Sequence, residues 1–402
     1  FEYDQFDRAI KRTYTKAAIP FKQFANEAKN DKTVHEYSYT PSGKRSQLAV
    51  YKDRGSRLPR PELTREARRN AEHSNGAGAA PLLAPVGDRG SRLQGEMIKS
   101  TRWEYDRYGR LSKILDDGRE VSYKYDSKSR LIEKTLPVGG LFEKYEYDKE
   151  GRLLKKTLEA RALSPKKPLV LATLEYFYSA DGTLTGRSVN GKLQNYEYDL
   201  KGQLLSVKER NAEHSKSPAE SLVASAGDRG GWKTVEQYVY DPAGNILKKV
   251  IAGKETTFTY DAANQLVQSK TLLNSNVKIL NYEYDGAGRL ALEASATSVK
   301  SYKYGWLDKV LSVTEGKDVS NFEYYPDGQL ASTNSTNGHE EFVWDGLALI
   351  GRNETKYTVE PHVNGGSPIL ATGGTKDTEV LFNDILGSSL GTVSDGVFSS
   401  IE

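Results

Sequence analysis

Cysteine is absent from the 402 residues. That removes disulfides, thiolate metal sites and a thiol nucleophile together, and it leaves the fold indifferent to redox compartment. Histidine is scarce. His35, His73, His214, His339 and His362 are scattered, without the spacing of paired metal ligands. Methionine occurs once and proline 14 times. No stretch approaches the roughly 18 apolar residues of a membrane-spanning helix, and the mean hydropathy is negative, so a small stock of apolar side chains must be placed economically. There is no leader pattern. The chain opens at Phe1 in mid-motif, as expected of a piece of a longer protein. A strong basic surplus is missing too. The net charge is +3, and residues 52–95 alone carry nine Lys/Arg against five Asp/Glu, so the rest is close to neutral and no nucleic-acid partner is expected.

What is plentiful is tyrosine, at 25 residues, and glycine, at 36. The tyrosines fall in a repeat. An aromatic-x-aromatic pair, usually followed by Asp, recurs with its second member at Tyr3, Tyr39, Tyr105, Tyr125, Tyr147, Tyr178, Tyr198, Tyr240, Tyr260, Tyr284, Tyr304, Tyr324 and Trp344. The base period is 20 residues, stretched by insertions. Alternate residues of a strand share a face, so each pair puts two rings on one side. Across neighbouring units these rings are expected to stack into aromatic ladders.

Four residues after this anchor comes Gly in eight units, among them Gly109, Gly151, Gly202, Gly244 and Gly288, with Asn264, Asp7 and Asp308 in three more. These residue types tolerate a left-handed backbone, which marks a turn. Asp follows the anchor in nine units, for example Asp106, Asp148 and Asp285, where its carboxylate can bond turn amides. An aliphatic residue returns six positions after the anchor in eleven units. Each unit therefore reads as a β-hairpin. A lone hairpin is unstable in water, whereas a series of about thirteen, each pairing with the next, supports an all-β array that coils because strands twist.

These columns resemble the YD repeat of the RHS family, centred on Y-x-Y-D-x-x-G-R-L. Tyr123–Leu131, Tyr145–Leu153 and Tyr282–Leu290 match it closely, the first with Ser129 for the glycine. The family includes shells of insecticidal toxin complexes, RHS polymorphic toxins, wall-associated proteins and teneurins. The resemblance implies a spiral barrel or shell segment, secreted or on a cell surface, that encloses or presents its own C-terminal cargo polypeptide. Asp384-Ile385-Leu386-Gly387-Ser388 looks like the start of the segment leading into the RHS-associated core. Residues 1–352 are thus expected to form the β-spiral, and 353–402 to be strands leading toward that core. A surface adhesin or scaffold with possible carbohydrate binding is the alternative.

Two stretches break the period and resemble each other. Arg69–Ser74 recurs as Arg210–Ser215, and Gly87–Gly90 as Gly227–Gly230. They are read as insertions at about 53–93 and 209–230, tolerated because loop-closure entropy rises slowly with length. Residues 61–74 could form a short helix after Pro61, and 15–32 and 160–172 read as long hairpin loops. Nine equivalent Asp at equivalent turns are explained by turn geometry, so no glycosidase pair is assigned. Gly365-Gly366 and Gly373-Gly374 lack the residues of a phosphate loop, and no serine sits in a nucleophile elbow. Asp384 reads as a turn aspartate. No catalytic residue, cofactor site or metal site is assigned, and the chain is expected to be no enzyme.

Overall fold

The computed structural model describes residues 2–6, 8–15, 32–53, 96–161, 168–211, 231–274, 276–361, 366–373, 376–394 and 396–401. Almost all of the two insertions, the suggested helix at 61–74 and most of the 15–32 loop lie outside these residues. The described residues form 31 strands and one 3-10 turn, Trp306–Asp308. Among them no helix is long and apolar enough to cross a membrane.

Contacts divide the chain into two compact units, Phe1–Arg102 and Trp103–Glu402. The first holds β1 (Glu2–Tyr3), β2 (Ala9–Thr15), β3 (Lys32–Tyr39), β4 (Arg45–Asp53) and most of β5 (Glu96–Tyr105), each antiparallel to the next. Its core gathers Val34, His35, Leu48 and Val50, all nearly sealed from solvent. The ladder between β4 and β5 closes at Lys52 opposite Glu96, so the strands run to the base of the first insertion.

The second unit continues the same plan. It begins with β6 (Leu111–Asp116), β7 (Arg119–Tyr125), β8 (Leu131–Thr135), β9 (Leu141–Tyr147), β10 (Leu153–Ala160), β11 (Leu169–Tyr178) and β12 (Leu184–Val189). Thirteen more strands follow, from Lys192–Tyr198 to Gly338–Asp345. The last six are β26 (Ala348–Arg352), β27 (Thr355–Val359), β28 (Pro368–Gly373), β29 (Lys376–Asn383), β30 (Ser389–Ser394) and β31 (Val397–Ser400). The chain around 160–172 is less of a loop than its sequence suggests, because Leu169 onward pairs with β10.

Hairpin turns alternate between two kinds. On one edge, three-residue loops follow each anchor: the Asp106 amide donates to the Arg110 carbonyl, and the Gly109 amide to the Asp106 carbonyl, both at 2.8 Å. This is a type I turn closed by a left-handed residue, the G1 bulge. Gly109 has φ 74° and Gly151 φ 87°, and Ser129 and Asn264 take the same region at 64° and 59°. On the other edge, two-residue turns such as Asp117-Gly118 and Asn190-Gly191 have both φ positive, the type I′ geometry that suits strand twist. Asp345 departs from the pattern. It ends a strand opposite Ala348, across the two-residue turn Gly346-Leu347.

In the second unit the ribbon returns upon itself. Strands β27 to β31 lie against β6 to β12, pairing Lys356 with Asp117, Glu360 with Lys134 and Arg187 with Asp384. Between these layers sits a closed core, in which Ile114, Val121, Leu174, Leu370, Val380 and Phe382 are fully buried.

Candidate functional site: the repeat rung and the returning layer

Ten of the thirteen anchors, Tyr198 not among them, take part in a rung built from four columns of the repeat. The anchor phenol donates to the backbone carbonyl of the aliphatic residue that opens the strand before it: Tyr125 to Leu111 (2.7 Å), Tyr147 to Leu131 (2.8 Å), Tyr240 to Leu204 (2.8 Å), Tyr260 to Ile246 (2.9 Å) and Tyr284 to Leu266 (3.0 Å). Trp344 does the same through Nε1, to Leu330 at 2.7 Å. A side chain with an apolar body and a donor tip is required, which is why the column holds twelve Tyr and one Trp but no Phe. The column two residues earlier accepts Phe freely, at Phe258, Phe322 and Phe342. Burial pushes the Tyr125 phenol up to about 12, so it stays a protonated donor. Tyr105 and Tyr198 occupy the same column, closing β5 and the strand Lys192–Tyr198.

The aspartate after the anchor closes the turn. Asp126 Oδ1 accepts the amides of Lys128 and Arg130 at 2.9 Å, and its Oδ2 accepts Arg130 Nε at 2.7 Å. Those bonds, led by the Arg130 amide, hold the Asp126 carboxyl below its usual range. Asp106, Asp148 and Asp285 repeat the arrangement with Arg110, Arg152 and Arg289. The same arginine reaches on to the next unit. Arg130 Nη1 donates to the Asp148 carbonyl at 3.0 Å, and its guanidinium lies 5.0 Å from the Tyr147 ring centroid. Arg110 covers Tyr125 at 4.6 Å, and Arg289 covers Tyr304 at 4.7 Å. Where Arg is replaced, a neutral side chain keeps the link: Asn245 Nδ2 donates to Asn264 Oδ1 at 3.1 Å. Gly202, Gly244 and Gly288 all take positive φ at their turns.

The ladders differ from ring-on-ring stacking. The residue directly opposite the first aromatic of a unit is Lys134 for Tyr123, Lys156 for Tyr145, Arg187 for Tyr176, Val207 for Tyr196 and Lys249 for Tyr238. Aromatic rings therefore alternate with cations or small side chains on successive strands. The sequence carried that signal in the ninth position after each anchor.

The returning layer covers this interleaved face and buries charge in doing so. Lys134 Nζ bonds Glu143 Oε2 at 3.0 Å and Glu360 Oε1 at 2.9 Å. Lys156 Nζ bonds Glu143 Oε1 at 2.7 Å and the Asn383 carbonyl at 3.1 Å. The Tyr145 phenol donates to Glu143. Burial works against the Glu143 charge, yet Lys134 and Lys156 together hold its carboxyl down at about 2. Burial likewise disfavours the Lys134 ammonium, and Glu143 and Glu360 overcome it. A cavity of about 140 Å³ adjoins the cluster, lined by Lys134, Tyr145, Lys156, Glu360 and Asn383. Asp384 caps its own turn, accepting the amides of Leu386 and Ser388 at 2.8 and 2.9 Å, and the neighbouring Ile385 amide donates to the Tyr176 phenol at 2.9 Å.

The sequence profile described as Teneurin YD-shell matches residues 86–217 and 168–299, together more than half of the chain. The chain belongs to the Teneurin YD-shell family. A stretch of 170 residues is 23% identical to the tRNA nuclease WapA of Bacillus subtilis (strain 168), covering 38% of this chain and 7% of that protein. Among solved structures, that of TcdB2-TccC3-Cdc42 matches with a TM-score of 0.50 and 15% identity, over 99% of this chain and 19% of that one. That of TcdB2-TccC3-TEV gives 0.49 and 14%, with the same coverage. The YD-shell chain thus spans a fifth or less of the length of these relatives. The first structural match establishes the shared fold: consecutive antiparallel hairpins of an RHS-type YD repeat.

Proposed function

We propose that this YD-shell chain is a wall segment of a hollow shell that encloses a polypeptide cargo, and that the wall performs no catalysis. The observation that carries the reading is the layering of the second unit. The returning strands make polar contacts to β6 to β12 and the turns between them. The same aromatic face continues beyond them, where Tyr238, Phe258, Tyr282, Tyr302 and Phe322 are only half-buried. A single-layered amphipathic sheet of this kind is a lining. On this reading residues 1–352 form the wall with its insertions, and 353–402 lead toward a family core. The shell acts outside the cell that makes it, secreted or at the surface.

A carbohydrate-binding ladder fits less well, because guanidinium groups already occupy ring faces at Tyr125, Tyr147 and Tyr304. Limited proteolysis of the full-length gene product tests enclosure. Cargo sequence downstream of Glu402 should survive protease until the wall is unfolded with denaturant. Digestion of that sequence at the same rate in native and denatured shell would refute the proposal.

A further inference from the structure

A ribbon of identical units gives a returning layer no reason to prefer one docking position over the next. A shift by one unit, two strands or about 10 Å, would present the same aromatic columns again. We propose that Lys134, Glu143, Lys156 and Glu360, with the pairs Asp116–Thr358 and Arg187–Asp384, form a register key that fixes where the returning layer docks on β6 to β12. The inference concerns how the chain winds and holds whether or not a cargo is enclosed.

The key lies where the repeat breaks its own columns. Four residues before the anchor, successive units carry Val121, Glu143, Leu174 and Gln194, so the buried carboxylate occurs once in the covered stretch. Nine after the anchor stand Ile114, Lys134, Lys156, Arg187 and Val207. Eleven after it stand Asp116, Leu136, Leu158 and Val189, with the next carboxylate, Glu209, beyond β12, so within the covered strands one unit offers the carboxylate that accepts the Thr358 hydroxyl. Shifting the layer one unit forward would set Thr358 against Leu136 and Asp384 against Val207. Shifting it backward would set Glu360 against Ile114. The backward slip leaves the buried Glu360 carboxylate without its cation, and the forward slip, in which Glu360 would meet Lys156, takes Asp384 from Arg187 and leaves the Thr358 hydroxyl against an aliphatic side chain, losses that a buried interface penalises. The aromatic columns recur in every unit and supply adhesion, whereas the charged exceptions supply position. Buried polar groups are known to set register in this way.

The cysteine-free chain makes the test direct. In the full 402-residue protein, Thr358→Cys is paired with Asp116→Cys to report the native register, or with Leu136→Cys to report the slipped one. A short bis-thiol reagent then crosslinks each pair. The native pair should dominate in the otherwise unaltered chain. In a background of Lys134→Met, Glu143→Met, Tyr145→Phe, Lys156→Met, Arg187→Met, Glu360→Met and Asp384→Asn the slipped crosslink should rise at least about tenfold relative to the native one, about 1.4 kcal/mol of lost discrimination. Asp384→Asn alone should move the ratio the same way by less. An unchanged ratio in both backgrounds overturns the proposal. So does loss of the folded state in both, since the cluster would then serve stability and not position.

Discussion

Replacing Tyr147 with Phe removes one atom, and with it the phenol that donates to the Leu131 carbonyl at 2.8 Å. The ring remains, as does the Arg130 guanidinium 5.0 Å from its centroid. The expected loss is therefore that of one neutral hydrogen bond, about 0.5–1.5 kcal/mol. Tyr147→Ala also strips the half-buried ring and its cation–π contact. It should cost about 2–3 kcal/mol, below the 3–5 kcal/mol or so of a fully buried aromatic. Tyr145→Phe provides the internal comparison. Its phenol donates to the buried Glu143 carboxylate, so its loss should exceed that of Tyr147→Phe, at about 1.5–3 kcal/mol. Because repeat arrays need not unfold as one unit, urea melts should be paired with amide exchange resolved to β8 and β9. If Tyr147→Phe changes stability by less than about 0.3 kcal/mol while Tyr147→Ala is costly, the ring alone matters and the reason given for an all-Tyr/Trp column is wrong.

Burial, with Arg12 and Arg45 nearby, lowers the His35 imidazole to about 3. Its folded value lies below the unfolded one, so His35 contributes its full stability above about pH 6.5 and loses it as pH falls from there toward 3, at up to about 1.4 kcal/mol per pH unit; a melt series in which His35→Leu has the same acid slope as the parent would contradict this. Gly151→Ala should cost about 1–2 kcal/mol from backbone strain alone, since φ is 87° and a Cβ would meet nothing within 4 Å. Gly373→Ala should cost more, because its Cβ would also collide with the Glu354 carbonyl oxygen; equal losses in thermal melts would count against the distinction. Deleting 53–93, which leaves Gln94-Gly95 to join strands already paired at Lys52 and Glu96, should leave the melting temperature nearly unchanged, and collapse of the fold would mean the insertion serves the core. A hydrolase screen of the purified chain should find no turnover that a point mutation abolishes, and finding one would refute the non-enzymatic wall.

Local order was legible in the sequence because a hairpin is a local object. The anchor, Asp and Gly columns specify strand, turn and positive φ within nine residues of each other. Asn264 and Asp308 could be placed at positive φ by residue type alone. The role of arginine was visible only as a consensus letter. Its reach to the next unit, as from Arg130 to Asp148, spans 18 residues and needs the pairing register to be known. Asp345 follows its anchor as the other eight Asp do, yet the sequence Asp-Gly-Leu-Ala forms a shorter turn, a difference that the anchor and Asp columns alone do not reveal. The buried cluster was not legible at all. Glu360 meets Lys134 only after the ribbon has returned, and no local periodicity encodes a contact across more than two hundred residues. The one available clue was negative: Glu143 stands where neighbouring units carry Val121 and Leu174.

That clue separates two kinds of information in the chain. Residues that obey the period fix the array: its hairpins, its turns and the rungs that tie one unit to the next. Being repeated, they cannot say where along the array anything else should sit. Position requires an exception. In the second unit the exceptions are charges, and they coincide with the place where the ribbon covers itself. Where the face is uncovered, from Tyr238 to Phe322, the residues opposite the first aromatic include Lys249, Ser269, Glu293, Val313 and Thr333. That run mixes charges of both signs with hydroxyl and aliphatic groups and carries no second cluster like Lys134–Glu143–Lys156. If the face lines a cargo space as proposed, a surface of this composition would touch a polypeptide at many points without selecting one register.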